Sequence, residues 1–205
     1  HTVTRRQRQM CIRDRYCSIT GFGQNGPLAL LPGYDFVIQA MAGIMSITGE
    51  KDGPPIKPGV AYADIFTSLY SVIAIQAALH SRKKTGIGSF IDMSLYDTQL
   101  AVLANQASTY LLNGKEPKRM GNKHPSIVPY QLFEAKDGDI IIACGNDQQF
   151  KSLCNAFEWD FANSKKFSTN KKRIKNRTEL ISELSNKLKK FKKEKIIKIL
   201  NKAKV

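Results

Sequence analysis

The run Gly53-Pro54-Pro55-Ile56-Lys57-Pro58-Gly59-Val60-Ala61-Tyr62-Ala63-Asp64-Ile65-Phe66-Thr67-Ser68 changes character within a few residues. Its first half, with three prolines and two glycines, cannot be helical. From Ile65 onward, Leu69, Val72, Ile73, Gln76 and Leu79 keep a helical period as far as His80. Asp64 therefore stands where a loop becomes a long, largely apolar helix. A carboxylate there meets unpaired N–H groups and the positive end of the helix dipole. Two roles suit it: an ordinary N-cap, or a nucleophile kept ionised at the rim of a pocket.

Working outward, Tyr16-Cys17-Ser18-Ile19-Thr20 reads as a short buried strand, followed by the loop Gly21-Phe22-Gly23-Gln24-Asn25-Gly26-Pro27. The loop lacks a following Lys-Ser/Thr, so it is a weak phosphate motif but a reasonable strand-end turn beside a pocket. A helix is expected from Gly33-Tyr34-Asp35-Phe36, with Asp35 in its first turn and Val37, Ile38, Met41, Ala42 and Met45 on its apolar face. After the Asp64 helix, Ser89–Ser94 reads as a strand and Leu95–Asn113 as one helix. Strands and helices alternating in this way predict an α/β sheet with covering helices.

Composition shifts at Gly114-Lys115-Glu116-Pro117-Lys118-Arg119, read as a linker to a smaller α+β domain over 120–205. There Ile127–Phe133 and Asp139–Cys144 form a hairpin around Asp137-Gly138. Helices are expected over 147–157 and 171–203, the latter with Leu180, Leu184, Leu188, Phe191, Ile196, Ile199 and Leu200 inward and its lysines solvated. Residues 1–15 match nothing downstream, resemble translated sequencing-adapter sequence, and are expected to be a non-native leader.

The formal net charge of +15 suggests nucleic acid until it is divided. Residues 165–205 carry sixteen Lys/Arg against three Glu, whereas 16–164 carry eleven against thirteen acids. The body with the motifs is nearly neutral and lacks a basic groove with interleaved aromatics, so no nucleic-acid partner is expected. Cys11, Cys17, Cys144 and Cys154 show no C-x-x-C pairing and no ligand spacing with the histidines. That excludes a zinc pattern and suits a reducing, cytoplasmic compartment. No apolar run is read as reaching the roughly 18 residues of a membrane span, and no membrane partner is expected.

Six runs in order resemble the class III CoA-transferase family. They are Ser18–Pro27, Pro32-Gly33-Tyr34-Asp35, Gly59–Asp64, Thr85–Gly88 with Ile91–Leu95, Ile127–Gln131, and Gly145–Phe150. The second half is most similar to the succinyl-CoA-dependent dicarboxylate type. The resemblance implies a Rossmann-like large domain, here partial and spanning 16–113, plus a truncated small domain. It places Asp64 on the family's catalytic aspartate, working through aspartyl anhydride and aspartyl-CoA thioester intermediates. Pro32, Gly33, Tyr34 and Asp35 fall on the segment lining the CoA and thioester pocket. Gly121, Asn122 and His124 fall on the loop that covers the site, with His124 read as a loop hydrogen-bonder rather than a base. The implied substrates are an acyl-CoA and a small, dicarboxylic acid; no metal and no permanently bound cofactor are implied. Family members are longer and form interlocked homodimers, so on this resemblance the chain is an internal fragment, inactive by itself. The rival within the fold is α-methylacyl-CoA racemase, whose relatives carry His where this chain has Tyr34. A phenol of pKa about 10 is a poor substitute for that base.

Overall fold

The computed structural model describes residues 15–205; the leader expected over 1–15 lies, but for Arg15, outside the described residues. The chain divides into two compact units, one running to Arg119 and the other Met120–Val205.

In the first unit, β1 (Arg15–Thr20) pairs in parallel with β2 (Ser89–Ser94), Cys17 opposite Ile91 and Thr20 opposite Ser94. Between them in sequence lie α1 (Asp35–Met41), α2 (Ile44–Ile47) and α3 (Tyr62–Thr85). Two helices follow β2: α4 (Leu95–Ala101) and α5 (Ala104–Asn113). The single helix expected over 95–113 is broken at Val102–Leu103, and Ala104 takes a φ of 47°. Ala104 is in the left-handed region without being glycine, a local cost that periodicity does not register.

Two glycines make the junction of β1 with α1. A Cβ on Gly33 would lie 2.4 Å from the Gly21 Cα, and one on Gly21 would lie 2.5 Å from the Gly33 Cα. The backbones can cross at this distance only because neither residue has a side chain. The same corner is tied to the start of α4. Tyr96 N–H donates to the Gly21 carbonyl at 3.0 Å, and Ser94 Oγ caps α4 by accepting from Asp97 N–H at 3.2 Å. The glycine-rich loop is closed by its neighbours as well: Gly23 N–H donates to Thr20 Oγ1, and Gln24 N–H donates to Asp92 Oδ2.

The long helix α3 ends at Gly86, whose φ of 72° forms the left-handed cap, behind a basic last turn of Arg82, Lys83 and Lys84. Its orientation inverts the face implied by the periodicity. Ala63, Thr67 and Ser71 are buried, while Ile65, Leu69, Val72 and Ile73 are about half exposed. Thr67 Oγ1 donates to the Ala63 carbonyl and Ser71 Oγ to that of Thr67, so the buried hydroxyls are satisfied within the helix. By length and composition α3 is apolar enough to cross a membrane, contrary to the expectation that no segment is. The reason is that the Ser, Thr, Gln and Ala positions are mild enough to leave an 18-residue stretch of the helix apolar on average.

In the second unit, β3 (Tyr130–Ala135) and β4 (Gly138–Ala143) form the antiparallel hairpin, turning at Lys136-Asp137 with Gly138 at φ 127°. Helices α6 (Asp147–Ala156), α7 (Asn170–Lys175), α8 (Arg177–Leu188) and α9 (Lys193–Ala203) cover it, with a short 3-10 turn at Asp160–Asn163. The helix expected over 171–203 is thus three. Thr169 caps α7, and Lys193 N–H donates to Asp137 Oδ1 where α9 begins. Leu180, Leu184, Leu188, Ile196 and Leu200 are buried with Phe133, Ile142, Phe150 and Leu153. One cation departs from the solvated-lysine pattern. Arg173 is fully buried: its Nε donates to the Val128 carbonyl at 2.6 Å and its Nη1 to the Phe167 carbonyl at 3.1 Å. Its Nη2 meets Asp147 Oδ1 at 2.8 Å, and the guanidinium lies 4.3 Å from the Phe150 ring centroid.

Candidate active site

Asp64 is the third residue of α3, and Ala61 occupies the N-cap position without a side-chain bond. The N-cap role considered for Asp64 therefore falls to another residue. The cap comes from Asp35, the first residue of α1: its Oδ1 accepts from the N–H of Ala63 at 2.9 Å and of Asp64 at 3.4 Å. Asp35 Oδ2 accepts from Gln39 Nε2 at 2.7 Å, and Gln39 itself is fully buried. Ile38, one turn into α1, packs with Ala63 and Leu95 in the small core beneath, flanked by Phe22 and Tyr96. Residues far apart in sequence thus fix the α3 start.

Asp64 is exposed, and among the described residues none donates a hydrogen bond to its carboxylate. Its pKa lies above the ordinary aspartate value, first because part of its hydration is lost and second because the Asp35 carboxylate is nearby. The helix-start amides expected to keep Asp64 ionised do not bond its carboxylate. Those amides are already taken by Asp35. A carboxylate so placed is open to an incoming electrophile and is more basic than a capped one.

The other expected residues fall into two groups. Pro32, Gly33, Tyr34 and Asp35 share the first unit with Asp64; Tyr34 is 76% exposed and Pro32 is exposed, while Gly33 and Asp35 are half buried. Gly121, Asn122 and His124 belong to the second unit, in a loop where Gly121 takes a φ of 57°. Gly121 and Asn122 are exposed. His124 is held in its own loop: its N–H donates to the Tyr130 carbonyl at 2.9 Å, and Nδ1 accepts from Ser126 N–H at 3.1 Å. From α8, Arg177 Nη2 donates to the carbonyls of His124 and Pro125. Partial burial lowers the Arg177 pKa from its usual value, yet a guanidinium remains a cation at any ordinary pH.

A groove of about 810 Å³ opens elsewhere in the first unit, lined by Gly43, Ile47, Leu103, Tyr110, Leu111 and Arg119 among others. It contains none of the expected site residues. Among the described residues no cluster of His, Cys, Asp or Glu could hold a metal.

An open aspartate thus stands at the first turn of a long helix, beside the glycine-crossed Pro-Gly-Tyr-Asp segment. The chain belongs to CoA-transferase family III, whose profile matches residues 16–205. It is 50% identical over 183 residues to the succinate–glutarate CoA-transferase of Agrobacterium fabrum, covering 89% of this chain and 46% of that protein. It is 48% identical over 171 residues to the human succinyl-CoA:glutarate CoA-transferase, covering 83% and 39%. Among solved structures, a CAIB/BAIF family protein from Brucella suis superposes with a TM-score of 0.79 at 50% identity, covering all of this chain and 54% of that one. The α/β class expected from the sequence is thereby established. The chain spans less than half the length of these curated relatives.

Proposed function

We propose that this chain is the nucleophile-bearing part of an acyl-CoA:carboxylate CoA-transferase, of succinyl-CoA and dicarboxylate type, with Asp64 as the covalent catalyst. The observation that carries the proposal is the unbonded, solvent-open Asp64 carboxylate at the start of α3 in a member of this family. The substrate class rests on similarity: relatives at 48–50% identity are transferases named for succinate or succinyl-CoA and glutarate, and others at 40% for oxalate or mesaconate.

In this reading an Asp64 oxygen attacks the thioester carbonyl, and the tetrahedral oxyanion collapses by expelling CoA thiolate, leaving an aspartyl–acyl anhydride. The thiolate adds to the Asp64 carbonyl and expels the donor acid as its carboxylate, giving an aspartyl-CoA thioester. The acceptor carboxylate attacks that thioester and displaces thiolate, which then takes the acceptor acyl group and frees Asp64. Every nucleophile and leaving group is an anion of low basicity, so no proton need be moved and no metal or resident cofactor is called for. Coenzyme A enters and leaves as part of the substrate. The protein must hold reactants in line and offer N–H donors to each oxyanion. In this reading Tyr34 meets the acyl or pantetheine end and Pro32 and Gly33 shape its approach, while Gly121, Asn122 and His124 keep the substrate-binding role that the family resemblance implies. The outward Ile65, Leu69, Val72 and Ile73 row on α3 supports a further protein surface here, in line with a homodimer.

The α-methylacyl-CoA racemase alternative is separated by one assay. Residues 16–205 replace the matching segment of the Agrobacterium fabrum relative, and the chimera is incubated in deuterated water with succinyl-CoA and glutarate. Glutaryl-CoA should form with no deuterium entering the carbon next to the thioester. Exchange at that carbon without CoA transfer would replace the proposal with proton-transfer chemistry.

A further inference from the structure

We infer that Asp35 is a positioning residue for Asp64: its carboxylate replaces the missing side-chain cap of α3 and sets a negative charge beside the nucleophile. The inference rests on the proposed role of Asp64 and deepens it.

The helix that carries Asp64 begins at Ala61 with no side-chain cap of its own, although its first-turn N–H groups need acceptors. Asp35 supplies the acceptor from 28 residues away, through Oδ1 to the N–H of Ala63 and Asp64. Oδ2 is held by Gln39 Nε2, and the same nitrogen lies 3.4 Å from the Val60 carbonyl, the residue before the cap position. With both oxygens engaged by the protein, Asp35 is occupied as a support rather than presented to a ligand. This differs from the pocket-lining role that the family resemblance implies for it. Oδ1 bonds the Ala63 N–H at 2.9 Å and reaches the Asp64 N–H at 3.4 Å, so the first turn that carries the Asp64 carboxylate is held from α1. The arrangement also places like charge against Asp64 in a partly desolvated corner, which favours a more basic and more nucleophilic carboxylate. The nearest basic side chain in sequence, Lys57, is turned elsewhere: its Nζ bonds the Pro58 carbonyl and lies 5.9 Å from the Phe36 ring centroid. Gln39 and the Val60 carbonyl, the other groups at Asp35, are neutral. Two carboxylates in unequal environments thus take unequal roles, one bonded and structural, one free and reactive.

Two substitutions separate the support from the charge. Asparagine at 35 keeps an oxygen for the Ala63 and Asp64 N–H groups, and a flip of the Gln39 amide turns Oε1, buried and without a partner among the described residues, toward the new Nδ2. Alanine removes both the acceptor and the charge. In the 205-residue chain with ¹³C-labelled aspartate, Asp35→Asn should leave the Ala63 and Asp64 amides protected from hydrogen exchange. The Asp64 titration midpoint should move to lower pH. Asp35→Ala should lose that amide protection, and in the chimera it should lower kcat on the order of 10²-fold with KM changed far less, as expected for a misaimed nucleophile. An unmoved Asp64 midpoint in Asp35→Asn, or protected amides in Asp35→Ala, overturns the inference. A raised KM with unchanged kcat does so as well, returning Asp35 to substrate binding. The titration is independent of the transferase reading: if Asp64 is not the nucleophile, its midpoint still responds to Asp35 while transfer activity does not depend on Asp64.

Discussion

Asp64→Asn in the chimera is expected to reduce CoA transfer by on the order of 10⁴-fold or more, because the substitution removes the atom that forms the covalent intermediate. Nothing else at the site should change much. Among the described residues the Asp64 side chain makes no bond that holds the fold, and its peptide N–H can still donate to Asp35 Oδ1. Asparagine also relieves the repulsion from Asp35, so stability should stay within about 0.5 kcal/mol or rise slightly. The measurement is glutaryl-CoA formation from succinyl-CoA, paired with a thermal melt. A variant that melts normally and transfers CoA at more than about one-tenth of the parent rate would remove Asp64 from the nucleophile's role. The pH dependence follows from the direction of the Asp64 shift. The reactive form is the carboxylate, and its pKa lies above the usual aspartate value. The acid limb of kcat/KM should therefore fall at a higher pH than an unperturbed aspartate would give, and Asp35→Asn should move that limb down.

The second large effect concerns stability. Arg173→Met should cost about 3–5 kcal/mol, although methionine fills much of the same volume. Arg173 is fully buried, and its donors serve the carbonyls of Val128 and Phe167. Removing the guanidinium leaves buried acceptors unpaired, at about 1–3 kcal/mol for each. The ion pair itself matters less, because the Asp147 side chain is half exposed and can turn to water. The contact of the guanidinium with the Phe150 face is also lost. Arg173→Lys should recover only part of the loss, since an ammonium cannot present the planar fork that reaches three oxygens at once. Urea unfolding of the 120–205 unit within the chain reads the difference directly. A loss below about 1 kcal/mol for methionine would mean that the buried carbonyls find other donors, and that the arginine is not what ties α7 to α6 and to the segment before β3.

These two residues also mark how far the sequence could be read. The position of Asp64 at the start of α3 was legible because loop and helix signals meet at it. The strands β1 and β2, the hairpin and the inward leucines of α8 were legible for the usual reason: alternation and helical period identify which residues share a face. What periodicity does not say is whether that face has a partner within the chain. On α3 the apolar row from Ile65 to Ile73 turns outward while the small, hydroxyl-bearing row from Ala63 to Ser71 is buried. Close approach to the strands and α1 favours small side chains, and the hydroxyls bond back to their own helix.

Arg173 was hidden for a related reason. In a lysine-rich segment one more cation looks like solvated surface, and only the fold reveals that this one faces two carbonyls and a phenylalanine. Asp35 was visible as a first-turn acid of its own helix, but its service to a second helix depends on the crossing of Gly21 and Gly33. A contact across 28 residues leaves no local signal. The break at Val102–Leu103 was likewise silent, since no proline or glycine announces it.

The most direct test of the central claim is to quench the chimera with hydroxylamine after incubation with succinyl-CoA and map the adduct by mass spectrometry. Either acyl-enzyme intermediate carries an activated carbonyl on the nucleophile, so hydroxylamine should convert Asp64, and no other acid, to its hydroxamate, with no adduct when succinyl-CoA is omitted. A hydroxamate on a different residue, or transfer activity with Asp64 left unmodified under conditions that trap the intermediate, would contradict the account.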